Sequence, residues 1–463
     1  MILSHYLGAV MILILITVIG WRSGKRVKSA GDFSTGGRKA GAGIVAGSII
    51  GTLVGGASTI GTAQLAFRYG FSAWWFTLGG GIACLVLALF FVKPLYQSGI
   101  RTLPQVFSRE YGRTAATTSA LLTSIGSFLS IVSQILSGIA LITSVSRVGA
   151  VPAAVIVVLL MIAYVVFGGV WGAGMVGIVK TGLLYVAVGV CGFLALGPGG
   201  GWSAFRAALP AERYFDLFAR GVSVDLGAGF SLVVGILTTQ AYIQAVVSAR
   251  SLKLSRAGVL ASAALIPPIG VAGILVGMYM RLNHPGINPG MALPMFVLEK
   301  VPPFLAGMIL ATLLITLVGT GAGITLGLSS MICGDIYKVY INPSADDRRT
   351  LVLSRFVIVV ILAAAGLFGG GNMGTMILGW SFLSMGLRGA TAVGALCAAL
   401  FLPGRIDRRF AVSSMIVGPV FVLFGKFALL PAVDPLFLGV GASAVVLLAG
   451  FLCGRRRTVR IPR

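Results

Sequence analysis

The chain has 463 residues, of which 57% are hydrophobic and only 10% are charged, and its mean hydropathy is +1.01. Because soluble domains carry about 25% charged residues, this composition excludes the soluble classes and indicates a polytopic membrane protein. The formal charge of +24 would fit a nucleic-acid-binding protein, but in a hydrophobic chain it more often reflects loop charges that set membrane orientation.

Apolar segments long enough to cross about 30 Å of hydrocarbon recur along the chain. We predict about thirteen transmembrane helices, near residues 6–22, 41–66, 71–96, 115–145, 150–168, 174–196, 228–248, 258–281, 304–333, 351–370, 375–402, 410–429 and 435–453. Basic residues and no cleavage site follow the first segment, so we interpret it as a retained span.

The distribution of basic residues predicts the orientation. An odd number of spans places the termini on opposite sides, and with the N-terminus outside, 25 of the 35 lysines and arginines fall in cytoplasmic segments. The positive-inside rule therefore predicts N-out and C-in. The basic C-terminal tail fits this orientation signal better than a dedicated lipid-binding role.

Charged residues inside the predicted spans are few and all of one sign. All eleven acidic residues fall in loops or at span ends, whereas Lys180 and Arg388 remain within spans. A buried charge in a membrane is costly and usually functional, so both residues are candidates for a site. The five cysteines have no spacing typical of a disulfide framework or a zinc site.

The second span is interrupted by Gly51, Gly55 and Gly56 in "GIVAGSIIGTLVGGASTIGTAQLAFRYG". Such glycines allow either a close helix crossing or an unwound segment whose carbonyls face an ion or a solute. A second interruption, from Gly235 to Gln240, falls in the seventh span. Two such interruptions in one membrane protein indicate a site at which freed backbone groups meet an ion or a solute.

Several motifs resemble the sodium:solute symporter family in order and spacing. They are "GGRKAGAGIVAGSIIGTLVGGASTIGTAQLAFRYG", "TLPQVFSREYG" (102–112), "GGVWGAGMVGIVKT" (168–181), "TTQAYIQAVVSARSLKLSRAG" (238–258) and "GTGAGITLGLSSMICGDIYK" (319–338). The resemblance implies an all-α fold of the leucine-transporter type, with two inverted five-helix repeats, spans 2–6 and 7–11, and peripheral helices.

This organisation divides the chain into five parts. Residues 1–40 are predicted to form a peripheral helix and cytoplasmic loop, 41–200 the first repeat, 201–227 an extracellular loop, 228–403 the second repeat, and 404–463 two peripheral helices with the basic tail.

The resemblance also implies a sodium site between spans 2 and 9. Matched to this sequence, its ligands are Gly51, Val54, Thr316, Gly319 and Thr320. This chain departs from the family at three positions near the site. Gly319 stands where many members carry Ser, Gly177 where many carry Asp, and Leu53 where some carry Asp, so the local charge is more positive here.

Lys180 lies on the helix face of Gly177 and has three interpretations. The side chain could snorkel to the cytoplasmic interface, about 9 Å away along the helix. Its ammonium could replace the sodium ion, which would make transport proton-coupled or ion-independent, or it could contact the substrate.

Arg388 lies near the middle of span 11, beyond easy snorkelling. Its partner is predicted to be either backbone carbonyls at a helix break or a substrate carboxylate. The residues predicted to bind substrate are Thr52, Gly55, Gln134, Thr239, Gln240, Tyr242 and Arg388. Each of the polar ones could instead connect helices.

The sequence therefore predicts a secondary transporter that imports a small solute, an organic acid or amino acid, by sodium-coupled symport with alternating access. A membrane enzyme is disfavoured because no acid pair or metal-ligand cluster is present, and a solute sensor because the chain ends soon after the last span. Sodium is the predicted coupling ion and no other cofactor is expected. The expected partners are the solute and the lipid bilayer of a bacterial cell membrane, without nucleic acid or an obligatory protein partner.

Overall fold

The computed structural model describes residues 2–24, 38–100, 102–146, 148–197, 201–372, 374–427 and 433–453, without the side chains of 19–24, 166–176, 335 and 347. These residues are helical apart from turns and an isolated bridge between Ala40 and Ala249. The basic segment 25–37, Arg101, Arg147 and the tail beyond Cys453 lie outside the described residues. The orientation that their charges indicate stays a prediction.

Eight helices lie in the described residues of the N-terminal half of the chain. They are α1, Leu3–Gly24; α2, Ala42–Leu53; α3, Thr62–Tyr69; α4, Trp75–Val86; α5, Val92–Gln97; α6, Leu103–Tyr111; α7, Arg113–Val145; and α8, Ala150–Ala195. A π-helical turn, Ala57–Gly61, leads into α3, and a 3₁₀ turn, Gly70–Trp74, leads into α4. A further π-helical turn, Leu87–Phe91, joins α4 to α5.

Eleven helices follow in the described residues of the C-terminal half. They are α9, Gly201–Ala208; α10, Ala211–Tyr214; α11, Val222–Leu237; α12, Gln240–Val247; α13, Leu252–Asn283; α14, Ala292–Lys300; α15, Pro303–Met331; α16, Asp347–Gly370; α17, Ile377–Phe401; α18, Arg408–Phe427; and α19, Pro435–Cys453. A 3₁₀ turn, Pro289–Met291, precedes α14, and a π-helical segment, Ile332–Ile341, extends α15.

Every predicted span has a helical counterpart. Among the described residues, nine helices are long and apolar enough to cross a membrane, or ten if the bent pair α11 and α12 is one span. Three shorter apolar stretches, Leu3–Val18, Ala42–Leu53 and Ala150–Val165, fall in predicted spans 1, 2 and 5.

Helix α8 contains two of the predicted spans. Its 46 residues would measure about 69 Å as a straight rod, more than twice the hydrocarbon thickness. Tyr164 and Lys180 would then be about 24 Å apart along the axis. However, a Cβ atom built on Gly319 of α15 would lie 3.5 Å from the Tyr164 hydroxyl and 3.7 Å from Lys180 Nζ. The stretches Ala150–Val165 and Gly177–Ala195 are therefore separate crossings that pass the same point of α15.

Polar N-cap residues mark the start of two helices at ends that are predicted to be cytoplasmic. Asp346 accepts a hydrogen bond from the Arg349 backbone at 2.8 Å before α16, and Ser251 accepts one from Leu254 at 3.3 Å before α13. A side-chain oxygen at this position satisfies a backbone donor that the first helical turn leaves unpaired. These two caps therefore help to fix the residues at which α16 and α13 begin.

Candidate functional site

The second predicted span is broken, and its backbone leaves the helix at Val54. α2 ends one residue earlier, Val54 is extended with φ −87° and ψ 92°, and helical geometry resumes at Gly56. The Gly56 N–H donates to Oε1 of Gln134 on α7 at 2.8 Å. A donor freed by the break is thus satisfied by a neighbouring helix, as a broken membrane helix requires.

Glycine is needed at this break because neighbouring side chains approach the backbone closely. A Cβ atom built on Gly55 would lie 2.6 Å from Gln134 Oε1 and 2.9 Å from Thr320 Oγ1. One built on Gly56 would lie 2.6 Å from Ser137 Oγ, and real Cβ atoms essentially never come within 3.0 Å of such neighbours. The glycines therefore serve both the close crossing and the break.

The ammonium of Lys180 lies against the first break. Its Nζ donates to the Gly51 carbonyl at 2.8 Å and to the Thr320 hydroxyl at 2.9 Å, and this hydroxyl donates to the same carbonyl at 3.1 Å. Gly51 is in the last turn of α2, where carbonyls lack an intrahelical partner and the helix dipole favours a cation. Lys180 is 4% exposed, so the snorkelling interpretation does not fit its position.

The structure brings together part of the predicted sodium-ligand set. Gly51 and Thr320 meet, and Val54 is the residue at which α2 is broken. The Thr316 hydroxyl instead donates to the Thr312 carbonyl of its own helix at 2.6 Å. The role of these residues in binding sodium stays a prediction.

The two glycines that replace polar residues near this site have different surroundings. Gly319 faces Lys180 and Tyr164 at ordinary contact distances for an added Cβ atom. Gly177 lies in a close crossing of α8 with α2, because a Cβ atom there would be 3.3 Å from the Gly47 carbonyl. Position 319 therefore has room for a small side chain, whereas position 177 is tight.

The seventh predicted span is also broken, in the segment that the sequence indicates. α11 ends at Leu237, α12 begins at Gln240, and the two helices are bent by 51°. Thr239 is the N-cap residue of α12, and its hydroxyl donates to the Gly235 carbonyl of α11 at 2.6 Å. Each half of the chain thus contains one interrupted span.

Arg388 of α17 contacts the second break. It donates from one terminal nitrogen to Thr239 Oγ1 at 2.9 Å, from the other to Ser384 Oγ and Met385 Sδ, each at 3.1 Å, and from Nε to the Ser384 carbonyl at 3.2 Å. Its exposure is 2%. None of the ion pairs formed by the described residues includes Arg388 or Lys180.

Small and polar residues between α7 and α17 connect the two breaks. Ser384 Oγ donates to the Gly126 carbonyl at 2.6 Å, and Ser381 Oγ donates to Ser133 Oγ at 2.9 Å. We call Gly126, Ser133, Ser381, Ser384 and Arg388 the polar seam. Sequence reasoning missed the seam except for Arg388, and the only signal was the spacing of 381, 384 and 388 on one helix face.

Two predicted substrate-binding residues have other contacts in this structure, and a third is buried. The Thr52 hydroxyl donates to the Ser48 carbonyl of its own helix at 2.8 Å. Gln240 Oε1 accepts from the Leu103 N–H at 2.8 Å and so connects the second break to α6. Tyr242 is buried in α12 with 1% exposure. Their contact with a solute stays a prediction.

Comparisons with known proteins agree with this architecture. The model of the sodium:solute symporter family matches residues 33–418. The sodium/sialic acid symporter SiaT of Proteus mirabilis (strain HI4320) is 23% identical over 485 residues, which cover 97% of this chain and 93% of SiaT. The uncharacterized symporter YidK of Escherichia coli (strain K12) is 24% identical over 440 residues, which cover 88% of this chain and 75% of YidK.

Solved structures show the same fold. The substrate-bound outward-open state of a Na⁺-coupled sialic acid symporter matches with a TM-score of 0.80 and 20% identity, over 98% of this chain and 99% of that one. The inward-facing conformation of Mhp1 matches with a TM-score of 0.60 and 13% identity, over 90% and 91% of the two chains. The predicted all-α, leucine-transporter-type fold is confirmed.

The family model covers well over half of the chain, and the relatives found are transporters. The predicted family is therefore confirmed, and so is the predicted function at the level that the family defines, sodium-coupled symport of a small solute across a membrane. The chain belongs to the sodium:solute symporter family.

Proposed function

We propose that this symporter imports a small carboxylate, an organic acid or an amino acid, which binds between the two broken helices. The observation that carries the proposal is Arg388, a buried guanidinium whose protein partners at the second break are neutral. A guanidinium can hold a carboxylate in two parallel hydrogen bonds. A sugar or polyol offers no charge to offset it.

The N-terminus of α12 adds to the attraction for an anion. Thr239 is the N-cap residue of this helix, and the N-terminal end of a helix carries a partial positive charge. Arg388 donates to the side chain of Thr239, so two positive features converge on one residue. SiaT, whose name gives an acid as its substrate, is a relative that matches 97% of this chain.

The end of the protein that is predicted to be cytoplasmic is closed by backbone hydrogen bonds. Ala40 N–H donates to the Ser248 carbonyl at 3.1 Å, and Arg250 N–H donates to the Ala40 carbonyl at 2.9 Å. These bonds join the segment before α2 to the segment after α12. They therefore tie together the inner halves of both broken spans.

A side-chain cluster connects α11 to the Gly70–Trp74 turn at the opposite end. Asp225 of α11 accepts from Ser72 Oγ at 2.7 Å and from Arg220 Nε at 2.8 Å, and the Arg220 guanidinium lies 5.6 Å from the centre of the Phe382 ring of α17. In the proposed cycle this cluster opens to admit solute from outside. The backbone bonds at Ala40 then separate to release it inside.

A ligand panel tests the substrate class directly. Purified protein in detergent is heated with small organic acids, amino acids and, as the matched uncharged set, polyols and sugars. We expect at least one carboxylate to raise the unfolding temperature, because a ligand at 100 times its Kd stabilises the native state by about 2.7 kcal/mol. Stabilisation by uncharged compounds alone would contradict the proposed class.

A cross-link tests the proposed inner closure. The variant is A40C/A249C, because Ala40 and Ala249 form an isolated β-bridge, whose spacing falls within the Cα–Cα range of a disulfide, about 4.4–6.8 Å. It also carries Cys453→Ser, because Cys453 is exposed. We expect oxidation to stop proteoliposome uptake of the carboxylate found above, and reduction to restore it. The single-cysteine variants are the controls. Full uptake by cross-linked protein would show that these segments do not separate during transport.

A further inference from the structure

The Gly51 carbonyl and the Thr320 hydroxyl form a cation position at the end of a half-helix. In transporters with broken helices, unwound carbonyls and the C-terminal ends of half-helices coordinate the coupling ion. Here both oxygens already accept hydrogen bonds from Lys180, at 2.8 and 2.9 Å. We propose that the Lys180 ammonium is the resident cation of this position, and that sodium does not bind there while Lys180 occupies it.

The local charge supports this assignment. A metal ion bound to the same two oxygens at about 2.3–2.6 Å would lie at most about 5 Å from Nζ. Two positive charges at that spacing oppose each other, and among the described residues no carboxylate forms an ion pair with Lys180. The position therefore holds one cation, and the covalently attached one is always present.

The lysine also connects the helices that a bound ion would connect. Lys180 belongs to α8, Gly51 to α2 and Thr320 to α15, so its ammonium joins the broken span to two neighbouring helices. A diffusible sodium ion makes such a connection only when it is bound. With a permanent connection here, the sodium that accompanies the solute in this chain has to use other ligands.

Position 319 provides the variant that separates the two cations. A Cβ atom on Gly319 would lie 3.7 Å from Nζ, with its other close neighbours, atoms of Tyr164, at 3.5 and 3.6 Å. Serine therefore fits without displacing either side chain, and its hydroxyl can point toward the cation position. The double variant K180A/G319S removes the ammonium and adds an oxygen ligand.

The experiment counts sodium ions bound to the purified full chain with radioactive ²²Na⁺, in the absence of solute. We expect K180A/G319S to bind one more sodium ion per chain than wild type. Its affinity at this position should be at least about tenfold higher than any residual wild-type affinity, a difference in binding free energy of about 1.4 kcal/mol. G319S alone keeps the ammonium and should bind as wild type does. K93A, which removes an exposed lysine of α5, controls for loss of net charge.

An equal number of bound ions in wild type and in folded K180A/G319S would overturn the proposal and leave Lys180 a structural connection. If the double variant does not fold, K180S, which removes the ammonium and introduces a hydroxyl at position 180, replaces it in the same measurement. The assignment of Lys180 rests on the proposed function only in assuming that the first helix break takes part in transport. Because ion counting needs no solute, failure of the carboxylate panel leaves this result interpretable.

Discussion

Replacing Arg388 by methionine is expected to reduce stabilisation by carboxylates strongly without destabilising the protein. Loss of one member of a buried, hydrogen-bonded charge pair costs about 2–5 kcal/mol of binding, which weakens affinity at least about thirtyfold. The measurements are the shift in unfolding temperature with the carboxylate found by the panel, and the unfolding temperature without ligand.

The stability half of this prediction follows from the neighbours of Arg388. Thr239 and Ser384 accept from the guanidinium, but their hydroxyls also donate to the Gly235 and Gly126 carbonyls, so R388M leaves neither hydroxyl donor unpaired. Replacing a whole buried ion pair with apolar side chains of similar size is often neutral or stabilising, and among the described residues Arg388 has no ion-pair partner that R388M would leave unpaired. A structural role alone predicts the opposite result.

The matched control for R388M is R281M. Arg281 lies at the end of α13, where its guanidinium is 5.5 Å from the centre of the Phe67 ring and donates to the Pro285 carbonyl at 3.3 Å. It has no contact with the polar seam in this structure, so R281M should keep the carboxylate response. Retention of that response in R388M as well would remove Arg388 from the proposed solute site.

Substitution of Gly56 by alanine is expected to destabilise the protein. The added Cβ atom meets both Cβ and Oγ of Ser137, which α7 holds in place through the hydrogen bond from Ser137 Oγ to the Ser133 carbonyl. Overpacking of this kind costs about 1–3 kcal/mol and sometimes more. The unfolding temperature and the monodisperse fraction in detergent measure the loss.

Gly323 is the control for this experiment. It lies in α15, and an added Cβ atom there meets nothing within 4 Å. Because alanine is favoured over glycine in a helix by about 0.8–1.0 kcal/mol in peptides, G323A should be neutral or stabilising. If G56A and G323A unfold at the same temperature, the first break has more room than the structure gives it.

The sequence indicated where both breaks and the two buried cations lie, and the family resemblance was needed to choose a break over a close helix crossing at the glycines. Charge in an apolar span and glycine in mid-membrane are costly, so they stand out against the background. Neither depends on a neighbour being known. The family resemblance then gave the pairing of Gly51 with Thr320 that the structure shows.

The directions of individual side chains could not be predicted in the same way. Thr52 and Thr316 are predicted site residues, yet their hydroxyls bond to carbonyls one turn earlier, a choice that any helical threonine has. The Lys180 side chain is long enough to reach either the membrane interface or the first helix break, so the sequence alone allowed both positions for its ammonium. Only the three-dimensional position of Thr320 and Gly51 distinguishes these possibilities.

The pairing of Ala40 with the segment after α12 contributes to the free energy needed to open the end that is predicted to be cytoplasmic. Two peptide hydrogen bonds contribute about 1–3 kcal/mol, and a state separated by a few kcal/mol remains about 0.1–10% populated. In the predicted orientation, and with these two bonds as the barrier, a minority of solute-free carriers would be open toward the cell interior. Such carriers could bind solute from the cell interior. In a cell with a high internal solute concentration, they would exchange solute across the membrane instead of accumulating more of it.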